Sequence, residues 1–156
     1  MRNRKLHKRL KKRKEDGFTF FEIIVALIII AILSSLVGIT VFNNIVKAQR
    51  ISAKSQIQTF SLALNSYFTD CGTFPTTEQG LDALWEKPTS SPSPDGWRGP
   101  YLDHAIPKDP WDHDYVYSSD NVPHGLPFEI KSFGPDGTEG GEGNDKDIIS
   151  WEELEY

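Results

Sequence analysis

GFTFFEIIVALIIIAILSSLVGITVF, residues 17–42, decides how the rest of the chain is read, because it holds a single charge, Glu22, in an otherwise uncharged apolar run. The 25 residues from Phe18 to Phe42 exceed the roughly 20 that cross a hydrocarbon core of about 30 Å. An acidic side chain at the bilayer centre costs about 2.5 to 3.5 kcal/mol on insertion scales, so a carboxylate there implies a function and a partner. The fitting partner is an amine.

Ahead of this run, residues 1–17 carry nine of the 17 Lys and Arg residues. The bias of basic residues toward the cytoplasm keeps this end inside and exports the C-terminal part. From Phe18 onward, eight basic residues face 20 acidic ones, a net charge of −12. Basic arms also bind phosphates, but a span directly behind the leader argues against nucleic acid as its partner. A cleaved secretory signal ends in small residues after its apolar core, and Ser34 and Ser35 match that only weakly. The sharper discontinuity lies on the other side, where Asp16 and Gly17 part the leader from the first aromatic residue. Gly17 offers a protease an open backbone.

The order of basic leader, Gly17, Phe18, Thr19, Phe20, Phe21, Glu22 and apolar helix resembles the type IV pilin signal. The resemblance implies that a prepilin peptidase cuts between Gly17 and Phe18 and that the new α-amine of Phe18 is methylated. In a helical filament, Glu22 of one subunit would then neutralise the Phe18 amine of its neighbour, turning an isolated buried carboxylate into a paired one. The competing reading is an ordinary signal anchor with an incidental glutamate.

Beyond Phe42 the apolar residues thin to a stripe. Ile57, Phe60, Leu64, Tyr67 and Phe68 fall at helical spacings, extended backward by Val46 and Ala53, while Lys47, Arg50, Lys54, Gln56, Gln58 and Asn65 supply a polar side. No proline interrupts the chain from Phe18 to Thr73, so one helix to about Asp70 is expected, running roughly 80 Å at 1.5 Å per residue. Gly72 ends it. In FPTTEQGLDALWEKP, Thr76 and Gln79 have capping-box spacing, predicting a short helix with Leu81, Leu84 and Trp85 on its apolar side and Pro88 at its end. TSSPSPDGWRGP reads as loop. Tyr115, Val116 and Tyr117, then Phe128, Ile130 and Phe133, suit short strands around the turn DNVPHG. The expected fold is α+β and type IV pilin-like: a long N-terminal helix, half transmembrane and half amphipathic, on a small antiparallel sheet with a calcium loop. The expected divisions are a removable leader over 1–17, a membrane or filament-core helix over 18–42, and an exported globular domain over 43–156.

FPTTEQGLDALWEKP, GWRGPYLDHAIPKDPWDHDYVY and SFGPDGTEGGEGNDKDIISW, in that order, resemble the major pseudopilins of type II secretion systems, and the resemblance runs from Gly17 to Trp151. Type IV pilins proper usually pin their C-terminal region with a disulfide. A single cysteine, Cys71, cannot form one within the chain.

The stretch Asp136–Asp147, DGTEGGEGNDKD, crowds five carboxylates into twelve residues with only Lys146 opposing them. Four glycines in the same stretch let carbonyls turn inward, and Ca²⁺ takes six to eight oxygens at about 2.3–2.6 Å from such loops. The EF-hand register is not met. Composition alone leaves two readings open, a solvated acidic loop and a cation site. The family resemblance implies Ca²⁺ bound by Asp136, Asp145 and Asp147, with the carbonyls of Phe133 and Gly143 completing the shell.

Asp109, Asp112, His113 and Asp114, with His104 and His124 elsewhere, invite a metallohydrolase reading. Catalytic zinc favours His pairs on defined elements, and none is spaced that way here. Asp109 and Asp112 are expected to stabilise a turn anchored by Trp111. No catalytic residue is assigned, and Cys71 reads as a packing residue. The resemblance implies a non-enzymatic subunit that polymerises into a periplasmic pseudopilus and helps move folded proteins across the outer membrane. Its partners would be copies of itself, minor pseudopilins, the inner-membrane assembly platform and the prepilin peptidase. The lone subunit would cross the inner membrane once, with its N-terminus cytoplasmic and its C-terminal domain periplasmic. The alternatives are a type IV pilin of another machine and a membrane-tethered calcium-binding domain that never polymerises.

Overall fold

The computed structural model describes residues 17–154, without the side chains of 35–40 and 42. The basic leader, residues 1–16, lies outside the described residues. One helix, α1, runs from Phe20 to Cys71. The chain divides into two compact units, Met1–Thr40 and Val41–Tyr156.

In the first unit, α1 opens on Thr19, whose Oγ1 accepts the Glu22 N–H at 3.2 Å. Thr19 is thus the N-cap, satisfying a backbone donor that the helix leaves over. Glu22 falls in the first turn, where the positive end of the helix dipole favours an acid. Every Phe, Ile, Leu and Val side chain from Phe18 to Leu33 is exposed. Among the described residues no helix is long and apolar enough to cross a membrane. The apolar helical stretch with described side chains covers 15 residues, 20–34, or about 22 Å at 1.5 Å per residue.

In the second unit the stripe on α1 becomes core. Ala53, Ile57, Phe60, Leu64 and Tyr67, spaced by 4, 3, 4 and 3 residues, are buried against Leu81, Leu84, Tyr115, Tyr117, Ile130 and Ile148. Phe68, expected in the stripe, is 44% exposed. It lies beside the stripe and stacks on Phe74, with ring centroids 4.7 Å apart. Gly72, at φ 74°, donates its N–H to the Phe68 carbonyl at 2.8 Å and ends α1 in the left-handed conformation that glycine adopts without strain.

Thr76 and Gln79 do form the reciprocal pair, Thr76 N–H to Gln79 Oε1 at 3.1 Å and Gln79 N–H to Thr76 Oγ1 at 3.2 Å. The expected helix does not follow. The pair closes one turn, Gly80 breaks it at φ 62° and ψ −165°, and Leu81–Leu84 continues as a 3₁₀ helix. Three strands form an antiparallel sheet in the order β1 (Val116–Ser118), β2 (Glu129–Ser132), β3 (Ile148–Ile149). Tyr117 pairs with Ile130, and Ser132 with Ile148. The loop from β2 to β3 is the acidic tract.

Candidate functional site

Two 3₁₀ turns, Gly134–Asp136 and Gly143–Asp145, pack against each other inside the β2–β3 loop. Glycine makes this approach feasible: a Cβ on Gly141, at φ 82°, would collide with the Asp145 carbonyl. Ser132 and Ile148 are sheet partners, so the loop's two ends are fixed side by side.

Asp147 is the buried member of this loop, 7% exposed. Its Oδ2 accepts the Gly140 N–H at 3.1 Å, and its own N–H returns to the Gly140 carbonyl at 3.2 Å. Its Oδ1 is buried without a hydrogen-bond partner. Burial pushes the Asp147 carboxyl above the ordinary aspartate value, and the charges of Glu139 and Asp136 push the same way against the Gly140 N–H and Lys131. A buried carboxylate oxygen with no donor is costly unless a proton or another partner meets it.

The expected ligands distribute unevenly around it. Asp136 belongs to the same charge cluster, its Oδ1 accepting the Thr138 N–H at 3.2 Å and its Oδ2 the Thr138 hydroxyl at 3.0 Å. Asp145 acts, together with Asp147 and Glu152, on the Arg50 guanidinium of α1. The Gly143 carbonyl accepts the Lys146 N–H at 3.5 Å, closing the second turn, and Phe133 immediately precedes the first. Among the described residues, no three acidic, His or Cys side chains stand close enough together to hold a metal ion. Carboxylates and carbonyls are the donor types a hard cation takes, and among the described residues they do not converge on one point.

Arg50 and Lys54, on the polar side of α1, are both committed to the C-terminal segment. Arg50 is buried, and its Nη1 donates to the carbonyls of Asn144 at 3.1 Å and Lys146 at 2.6 Å. Lys54 Nζ donates to those of Ile149 at 2.6 Å, Ser150 at 3.0 Å and Glu152 at 2.5 Å. A cation every fourth residue was the available signal, and nothing in the sequence showed that backbone carbonyls would receive it. Cys71 is a free thiol packed against the core, as expected.

The His- and Asp-rich segment forms no group of three acidic, His or Cys side chains that could hold a metal ion among the described residues. Asp109 is buried, with Oδ1 accepting the N–H groups of Trp111 at 3.0 Å and His113 at 2.9 Å, and Oδ2 the Ser132 hydroxyl at 2.6 Å. It is the turn staple expected of it. Asp112 contributes through its backbone, its side chain being exposed and its carbonyl accepting from Lys108 at 3.0 Å. His113 contacts the Gly134 carbonyl, His104 its neighbour Ala105, and His124 the Trp151 ring.

The family model for the type II secretion system (T2SS), protein G matches residues 40–151, and the prokaryotic N-terminal methylation motif matches residues 12–38. The chain is 38% identical over 143 residues to the type II secretion system core protein G of Pseudomonas aeruginosa, covering 92% of this chain and 99% of that one. Identity to the protein of the same description from Vibrio cholerae is 41% over 142 residues, covering 90% and 94% respectively. The crystal structure of the major pseudopilin from the type 2 secretion system of enterohaemorrhagic Escherichia coli superposes with a TM-score of 0.60 at 36% identity, over 70% of this chain and 92% of that one. Signal, globular unit and relatives agree, and the chain belongs to the protein G family of type II secretion systems.

Proposed function

We propose that this chain is the major pseudopilin of a type II secretion machine, a structural subunit and not an enzyme. It is cut between Gly17 and Phe18, methylated on the Phe18 nitrogen, and held in the inner membrane by residues 18–42 with its globular unit in the periplasm. Copies then leave the membrane and polymerise into a pseudopilus that helps drive folded proteins across the outer membrane. Its partners are further copies of itself, minor pseudopilins, the inner-membrane assembly platform and the prepilin peptidase.

The observation that carries this reading is the exposure of every large apolar side chain from Phe18 to Leu33, with the Glu22 carboxylate among them. An apolar surface of this extent needs lipid or other protein around it. Lipid satisfies the apolar side chains and leaves the carboxylate costly; a neighbouring subunit that brings the Phe18 amine satisfies both.

In the globular unit, Ca²⁺ bound at Asp147 and Asp136, with Asp145 and the Phe133 and Gly143 carbonyls as further ligands, would tie the β2–β3 loop and hold the C-terminal segment where pilins use a disulfide. Support comes from the partnerless buried Asp147 Oδ1 and from the two turns packed against each other in the same loop.

The test is intact-mass spectrometry of protein recovered from membranes that contain the prepilin peptidase, followed by assay for filaments. A mature chain beginning at methylated Phe18 and competent to assemble is expected. A chain retaining residues 1–17 and never polymerising would make it a tethered domain instead.

A further inference from the structure

We propose that the cavity between α1 and the C-terminal segment holds the headgroup of a membrane phospholipid that carries a primary ammonium, with the phosphate on Lys47 and the ammonium on Glu153. This rests on reading residues 18–42 as the membrane segment.

The cavity has a volume of about 390 Å³ and is lined by Asn43, Val46 and Lys47 of α1 and by Ile149, Glu153 and Leu154 of the C-terminal segment, among others. Its charged lining sorts by exposure. Arg50 and Asp147 are buried, the guanidinium donating to the Asn144 and Lys146 carbonyls and the carboxylate accepting the Gly140 N–H. Lys146 and Glu152 form an ion pair at 2.7 Å. Lys47 and Glu153 are the exposed charges of the lining, one of each sign, beside the apolar Val46 and Leu154. One exposed cation, one exposed anion and apolar walls match a zwitterion that trails hydrocarbon.

Position names the source of that zwitterion. Asn43 follows Phe42 directly on α1, and Lys47 lies about 7.5 Å beyond Phe42 at 1.5 Å per residue. The polar layer of a bilayer extends about 5–7 Å past the hydrocarbon on each side. A chain whose apolar run ends at Phe42 therefore carries this cavity at headgroup depth. Charge and lining then narrow the class. From Phe18 onward the net charge is −12, which repels anionic headgroups and leaves a zwitterion indifferent. A quaternary ammonium is recognised by aromatic faces, and among the described residues no Phe, Tyr or Trp lines the cavity. A primary ammonium instead offers N–H donors, which a carboxylate such as Glu153 accepts.

The test measures the lipid retained by the full chain in native mass spectra from detergent micelles doped equally with phosphatidylethanolamine, phosphatidylcholine and phosphatidylglycerol of matched acyl chains. Phosphatidylethanolamine should be retained about fivefold over each of the others, the scale of one exposed ion pair. Glu153→Gln should erase its advantage over phosphatidylcholine, and Lys47→Gln should lower retention of both by a similar factor. Glu142→Gln, an exposed acid outside the cavity, should leave the pattern unchanged. Equal retention of the three lipids, a preference for phosphatidylglycerol, or a phosphatidylethanolamine preference that survives both Lys47→Gln and Glu153→Gln would overturn the proposal. Flotation with vesicles of the same three lipids separates it from the reading beneath it. A chain that floats without the preference overturns the headgroup site and leaves the membrane segment standing, and a chain that does not float overturns both.

Discussion

The Lys54 ammonium and the Ile149 carbonyl lie 2.6 Å apart although 95 residues separate them in sequence. The same ammonium takes the Ser150 and Glu152 carbonyls, and Arg50, one turn earlier on α1, takes those of Asn144 and Lys146. Two helical side chains therefore hold the C-terminal segment through its backbone, whatever its side chains are. Lys54→Met keeps the apolar stem and deletes the three donors. Hydrogen bonds to a charged group are worth about 1.5–3 kcal/mol, and the freed carbonyls recover part of that from water, so a loss of about 2 kcal/mol is expected. Thermal denaturation should show the lower Tm, and limited proteolysis should show earlier cleavage near Ser150. Unchanged values in both would mean that water replaces Lys54 without loss.

How much of this was legible in sequence follows from the range of the forces involved. Ala53, Ile57, Phe60, Leu64 and Tyr67 announced themselves because a buried stripe must repeat with the helix. The Thr76–Gln79 pair was legible too, being local, but what followed it was not: Gly80 left the α conformation and turned a predicted helix into a 3₁₀ segment. The third strand, Ile148–Ile149, is two residues long and exists only because β2 offers it an edge. At the acidic loop, composition identified the region, the family resemblance named ligands, and only the fold showed Asp147 buried with a spare oxygen. The roles of Arg50 and Lys54 were not legible for the same reason, since their acceptors are backbone atoms about 95 residues away.

Calcium removal should loosen the loop in a way that one substitution inverts. Binding to the folded state alone stabilises by about 2.7 kcal/mol when free Ca²⁺ is a hundred times Kd. EGTA should therefore lower the Tm of the parent chain. In metal-free protein, Asp147→Asn removes a buried charge that Glu139 and Asp136 oppose, so this variant should be at least as stable as the parent without calcium, and indifferent to its addition. Scanning calorimetry with and without Ca²⁺ checks both halves. A parent chain whose melting ignores EGTA would remove calcium from the account of stability.

Alkaline pH should unfold the globular unit earlier than surface charge alone would. Burial raises the phenols of Tyr67, Tyr101 and Tyr117 from 10.0 to about 12, and the Tyr117 hydroxyl donates to the Pro75 carbonyl at 2.9 Å. Between those values the unfolded chain has given up protons that the folded chain still holds, so stability falls as pH rises from about 10 to about 12. Below the unfolded value the contribution is fully present. Tyr117→Phe should flatten the decline of Tm with pH in this window while costing about 1 kcal/mol for the lost hydrogen bond at neutral pH. Tyrosinate absorbance followed alongside should rise with unfolding. If these phenols ionise near pH 10 with the fold intact, the linkage fails.

Glu22 should separate processing from assembly. Its backbone N–H closes the first turn on Thr19, so the local helix start depends on the threonine hydroxyl and not on the glutamate side chain. Glu22→Ala should accordingly leave α1 formed and cleavage after Gly17 largely intact, because the substitution costs no cap and suits a helix interior. The same change removes the only carboxylate between Phe18 and Phe42, the group proposed to meet the Phe18 amine of the next subunit. In membrane the variant is relieved of the cost of an acidic side chain in an apolar run, and in the filament an amine is left buried without its counter-charge. Both shifts favour the membrane-bound monomer over the polymer. Mass spectrometry should therefore find mature chains beginning at Phe18, while sheared filaments and inter-subunit crosslinks fall to background. Filaments at parental levels from Glu22→Ala would show that assembly does not depend on the pair.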